Sequence, residues 1–135
     1  MYAVTTVTLG RETHFKEAGN ATAVVDALRF VESTRRTTSL AWVVMPDHVH
    51  WLFQLRSGTL ASCLQMFKSR SARLINQRLG RQQPLWQPGY FDHAVRGEAC
   101  LRRHALYIAA NPVRAGLAAV LGGYPHAWCR WPLRD

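Results

Sequence analysis

The chain is poor in sulfur, poor in acid and almost without lysine. Its three cysteines, Cys63, Cys100 and Cys129, are far apart and odd in number. They form neither a zinc ladder nor a disulfide framework, which points to a reducing, cytoplasmic setting. No apolar run approaches the roughly 20 residues that a membrane-spanning helix needs. The start of the chain lacks a basic segment followed by an apolar core, so no secretory signal is expected. Internal repeats and low-complexity segments are absent as well.

What remains is 135 residues, 48% apolar, with five tryptophans. That composition describes one globular domain over residues 1–135, large enough to bury a core without staples. Formal charge is +9, and 15 of the 17 basic residues are arginine. The excess is lopsided: residues 1–55 carry five basic and five acidic groups, residues 56–135 twelve basic and three acidic. Arginine suits bidentate phosphate contacts, so a polyanion, above all nucleic acid, is the favoured partner. The bland alternative is a basic protein kept soluble by its charge.

Read in order, the chain alternates period-two and helical patterns. Tyr2 to Leu9 reads as a strand, and Asn20 is placed to cap a helix running to about Thr34. Thr38 to Met45 and His48 to Leu55 read as two strands joined by the Pro46-Asp47 turn. That connection is too short for a parallel crossover, so they form an antiparallel hairpin. Leu60 to Leu79 is a long helix whose apolar stripe is Leu60, Leu64, Phe67, Leu74, Ile75 and Leu79. Gly80 ends it in left-handed geometry. Tyr90 to Val95 reads as a fourth strand, and Gly97 precedes a helix over Glu98 to Ala110 that Asn111-Pro112 terminates. The tail, with Tyr124, Trp128 and Trp131, is expected to pack loosely across the sheet. The order β-α-β-β-α-β-α predicts an α+β fold: a ferredoxin-like, split β-α-β, four-stranded antiparallel sheet with helices on one face. The other face would be free for nucleic acid, and the last helix would be the catalytic one.

Three features carry chemistry. In His48-Val49-His50, strand alternation sends both imidazoles to one side and Val49 into a core. Alone, the motif fits an ordinary strand as well as a ligand pair. Tyr107 and Asn111 are four apart and share a helical face. A tyrosine hydroxyl can be a nucleophile, and an amide oxygen can bind a hard cation. Without the histidines, a core tyrosine and a helix-ending asparagine would explain both. Together, two imidazoles and an amide oxygen suit Mg²⁺ or Mn²⁺ with positions open for phosphate oxygens. Lys68, Arg70, Arg73, Arg78 and Arg81 lie off the apolar stripe of the long helix, and no acid occurs from residue 57 to 91. Either a solvated face or a phosphate-facing one fits that pattern.

Four runs then carry a family likeness. They are Val44-Met45-Pro46-Asp47-His48-Val49-His50, Phe67-Lys68-Ser69, Trp86-Gln87-Pro88-Gly89-Tyr90-Phe91-Asp92-His93 with Val95-Arg96, and Tyr107-Ile108-Ala109-Ala110-Asn111-Pro112-Val113-Arg114-Ala115-Gly116-Leu117. In joint order and spacing, the chain resembles the single-tyrosine transposases of the HUH nuclease superfamily, and most of all the REP-associated tyrosine transposases of bacteria. The resemblance implies a metal-dependent single-stranded DNA endonuclease and strand transferase. It would act at palindromic hairpin repeats through a 5′-phosphotyrosine intermediate, as a monomer or homodimer, in the cytoplasm with the nucleoid and apart from any membrane. His48 and His50 would be metal ligands, Asn111 the third, and Tyr107 the nucleophile. Lys68, Arg70, Arg73, Arg78, Arg81 and Arg114 would meet DNA. Asp92 and His93 match a family run without an assigned role; His93 is read as structural or DNA-facing rather than as a ligand.

The chain is short for that family, and His126-Ala127-Trp128-Cys129-Arg130-Trp131 departs from the family's Trp-Ser-Ser type ending. A reduced C-terminal grip on the hairpin is the implied consequence. A catalytically silent hairpin-binding regulator is the alternative function. An RNA-binding sheet module fits less well, because the paired sheet aromatics it needs are missing.

Overall fold

A computed structural model describes residues 1–131. Strand β1 is Tyr2–Val7, followed by two 3-10 turns at Leu9–Arg11 and His14–Lys16. Then come α1 (Ala18–Ser33), β2 (Thr37–Val44), β3 (His48–Leu55), α2 (Leu60–Leu79), β4 (Phe91–Ala94), α3 (Glu98–Ala109), α4 (Asn111–Arg114) and β5 (Ala127–Cys129). The sheet order is β4-β1-β3-β2-β5, and every pairing is antiparallel. The first four strands in that order form the expected ferredoxin-like core.

Alternation along β3 divides the molecule. Val49, Trp51 and Phe53 face one side, where they join Val24, Leu28 and Val31 of α1 and Leu64, Phe67 and Ile75 of α2 in the larger core. Leu52 faces the other side with Ala3, Ala41 and Val43 and packs on Leu101, Ala105 and Ile108 of α3. A β-bulge between Ser39 and Ala41 shifts the β2–β3 register. Leu40 and Ala41 thereby both join the α3-side core.

Several expectations need correction. The second sheet face is not free: α3 packs on it, so the helices occupy both sides. The tail does more than lie across the sheet. Its residues Ala127–Cys129 pair with Ala41–Val43 as a fifth strand, Trp128 stacks on Trp42 at 6.4 Å, and the Tyr124 hydroxyl donates to Val44 O at 2.8 Å. Asn20 is no cap. Helix α1 begins at Ala18 after Glu17, while Asn20 is buried, donating to His14 O and accepting from Arg78 Nε.

Other signals act as read. Thr59 and Ser62 form a reciprocal capping box at the start of α2, which satisfies two of its orphan donors. Gly80 ends that helix at φ 65°, a conformation that costs glycine nothing. The 81–90 connection is anchored rather than loose: Leu85 and Trp86 are buried in the larger core, and Trp86 Nε1 donates to Ser71 Oγ at 2.9 Å.

Candidate active site

Strand register builds the site. Thr5 of β1 lies opposite His50 and Val7 opposite His48, on the α3 side of the sheet. The two imidazoles stand 4.8 Å apart, ring to ring, and nearly perpendicular. Each uses its Nδ1 within the protein. His48 Nδ1 bonds Asp47 Oδ1 at 2.6 Å, and His50 Nδ1 bonds Thr5 Oγ1 at 2.9 Å. Neither Nε2 has a hydrogen-bond partner among the described residues, the arrangement in which a second partner fixes ring orientation for a metal ligand.

The electrostatics favour neutral His50. Burial, then the charges of His48, Arg114 and His104, push its pKa down to about 4. Burial would raise the Asp47 carboxyl, but its bonds to His48 and to Arg11 (3.3 Å) outweigh that and hold it below its usual value. Asp47 is therefore an anion beside His48, a role that its place in a turn had hidden.

Helix α3 brings the other half. A cavity of about 190 Å³ is lined by Thr5 and His50 from the sheet, His93 from β4, His104, Tyr107 and Ile108 from α3, and Asn111. Tyr107 is 62% exposed, an accessible position rather than a core one. Arg114 lies over its ring at 3.9 Å and donates to Tyr107 O at 2.8 Å. The helical run breaks at Ala110, so Asn111 opens α4 with Pro112 behind it, yet it still borders the same cavity as Tyr107.

Among the described residues, no three His, Cys, Asp or Glu side chains cluster for a metal. His50 and Asn111 border the same cavity and His48 stands 4.8 Å from His50; two imidazoles and an amide fit a hard or borderline cation that keeps open positions for other oxygens.

The cationic residues sort differently from the expectation. Helix α2 packs on the face opposite the histidines, so its arginines do not border the cavity. Lys68 donates to Gln87 O at 2.9 Å and to Gly89 O, and so ties α2 to the 87–89 loop. Arg78 is held by Glu17 and Asn20. The Arg70 guanidinium lies 3.7 Å over the Phe30 ring, and Arg81 Nε donates to Asn76. Arg70 Nε and Arg81 Nη2 are buried without a partner among the described residues. Arg73 borders two adjoining open clefts of about 720 and 480 Å³, the first shared with Arg81 and Gln83, the second with Arg36 and Arg70.

Thr5 and His104 were also missed. Thr5 reaches His50 only through strand register, which no local pattern announces. For His104 a signal existed but went unused: it lies three residues before Tyr107 on the same helical face.

The chain is similar to several known proteins. The family described as "Transposase IS200 like" matches residues 1–111. A REP-associated tyrosine transposase of Escherichia coli K12 is 32% identical over 87 residues, covering 63% of this chain and 50% of that one. The chain spans about half the length of the curated relatives it matches. A solved structure, that of a REP-associated tyrosine transposase bound to a REP hairpin, superposes with a TM-score of 0.77 at 25% identity, over 93% of this chain and 74% of the other. No described helix is long and apolar enough to cross a membrane.

Proposed function

Because the chain belongs to the IS200-like transposase family, we propose that it is a nuclease and strand transferase of single-stranded DNA, acting beside hairpin repeats. The observation that carries this reading is the convergence of His50, Tyr107 and Asn111 on one cavity, with His48 a ring's width away. An exposed tyrosine, an amide and an imidazole pair with free Nε2 atoms suit phosphodiester chemistry better than any buried role.

In this reading Tyr107 Oη forms the bond to phosphorus and the bond to the 3′-oxygen breaks. The products are a 5′-phosphotyrosine link and a free 3′-hydroxyl, and the proton given up by the tyrosine is matched by one gained at the 3′-oxygen. His48, His50 and Asn111 would hold a Mg²⁺ or Mn²⁺, which would supply charge neutralisation at the phosphate. Asp47 and Thr5 fix the two imidazoles in the orientation that leaves Nε2 outward. Arg114, lying on the Tyr107 ring, restricts the rotamers of the nucleophile and adds positive charge where a phosphate would enter. The ester conserves the energy of the broken bond, so a second 3′-hydroxyl can reverse the step and join strands.

Backbone contacts away from the cavity fall to Arg73, Arg70 and Arg81 along the α2 clefts, since Lys68 and Arg78 are engaged within the protein. The DNA substrate would bring the protein to the nucleoid, as a monomer or a homodimer.

The test is incubation with labelled single-stranded hairpins taken from the flanks of its own gene, with Mg²⁺ or Mn²⁺ present. A covalent adduct that withstands denaturation is expected, and Tyr107→Phe should abolish it while binding stays within a few-fold. Adducts that persist in Tyr107→Phe would remove the tyrosine from its role. Tight hairpin binding with no cleavage under either metal would favour the silent regulator instead.

A further inference from the structure

The cavity beside Tyr107 holds more imidazole than a two-histidine metal site uses. His93 on β4 and His104 on α3 face each other with ring centroids 4.9 Å apart and planes 42° from parallel. Both line the cavity with Tyr107. They come from different elements: the β1–β4 register sets His93 opposite Ala3, on the α3 side of the sheet. His104 lies three residues before Tyr107, so the two side chains share a helical face. His93 is exposed, whereas His104 is partly covered. Neither ring makes a hydrogen bond to another described residue, so the nitrogens are uncommitted. The pair thus runs from the side of the nucleophile out to water.

On the reading given above, we propose that His93 and His104 are the proton-transfer pair of Tyr107. His104 takes the hydroxyl proton as Tyr107 Oη bonds to phosphorus, and His93 passes it to solvent. The departing 3′-oxygen takes a proton from water on the far side, so no proton is lost or gained overall. In strand joining the flow reverses: a 3′-hydroxyl gives its proton to water as it attacks, and His104 protonates the tyrosine oxygen as it leaves. A tyrosine hydroxyl ionises unaided only near pH 10, so a neighbouring base removes a real obstacle at neutral pH. The titratable groups that border the cavity with His104 are His93 and Asp92 from β4, His50 from β3 and Tyr107 on its own helix. Burial, then the neighbouring His93, hold the His104 ring below its ordinary value. The uncommitted ring nitrogens of His104, on the cavity that Tyr107 borders, are placed to accept a proton.

The alternative role is packing, in which the rings merely seat β4 against α3. Single-turnover adduct formation on the same labelled hairpins, with Mn²⁺ saturating, separates the two. His104→Gln is expected to form adduct about 100-fold more slowly at pH 7, the scale of a lost general base. The deficit should narrow toward pH 10, and imidazole added to His104→Ala should restore rate. His93→Gln should cost less, about tenfold, because solvent can replace it. Hairpin binding and thermal unfolding of each variant, measured alongside, report folding, with His104→Asn as the reserve variant. A His104→Gln rate within about threefold of the wild type, a deficit equal at every pH, or no response to imidazole would each overturn the proton-transfer role. Absence of adduct with the wild-type protein is a different outcome: it removes the nuclease reading itself, and this role with it.

Discussion

Lowering the pH should unfold this protein by way of His50, and the amount follows from its surroundings. In the unfolded chain the imidazole has a pKa of 6.5; in the fold, burial first, then the electrostatic influence of His48, Arg114 and His104, pushes it to about 4. The unfolded state therefore takes up a proton first as pH falls. The stabilising contribution is complete above about pH 6.5 and is lost on the way down to about pH 4. The loss reaches about 2 kcal/mol at pH 5 and about 3 kcal/mol once pH is below both values. Urea unfolding at pH 7 and pH 5, with chelator present to exclude metal linkage, measures it. His50→Asn is the comparison, because an asparagine amide can replace the Nδ1 contact to Thr5 Oγ1 without titrating. Burial also depresses His104 and His126, but these contribute to both proteins and cancel in the difference. The wild type should lose about 2 kcal/mol more than the variant between the two pH values. Equal losses would refute the claim that His50 is kept neutral by the fold.

Two further perturbations test how the site is supported. Ser71→Ala removes the buried hydroxyl that accepts from Trp86 Nε1 and donates to Phe67 O; leaving the indole N–H unpaired should cost about 1–3 kcal/mol in chemical unfolding. Lys68→Met removes the ammonium that ties α2 to Gln87 O and Gly89 O. Amide exchange should quicken at residues 87–91 while the β1–β3 pairing stays protected, and unchanged exchange there would show the tether to be idle.

Local signals were enough for most of the fold. Alternation in His48–Leu55, the Pro46-Asp47 break and the stripe of α2 each act within a few residues, and the elements form where these patterns say. The failures share a cause: they need distant partners. Asn20 has the chemistry of a cap, but Arg78, 58 residues later, and His14 O give its amide better partners in a buried position. The tail strand forms only because β2 presents an open edge at Ala41–Val43, and three residues with no turn signal of their own give no warning of it. The face taken as open is covered because α3 carries Leu101, Ala105 and Ile108 on one side. That stripe was present in the sequence, but it was assigned to catalysis rather than to packing.

The site divides along the same line. His48 and His50 were placed by period two, and Tyr107 and Asn111 by helical spacing, because each pair sits within one segment or its immediate end. What joins the pairs is α3 lying on the sheet over β2, β3 and β5, and the same packing sets His104 against His93. Covering the second sheet face is thus what makes the site: a sheet left open would have kept the imidazoles in bulk water, without the burial that is the largest cause of the lowered pKa of His50. If α3 supplies that burial, a shortened chain ending before Glu98 should leave His50 titrating closer to 6.5 than to 4, which a proton NMR titration of the imidazole resonances reads directly. A value still near 4 in such a chain would show that the sheet alone desolvates the ring.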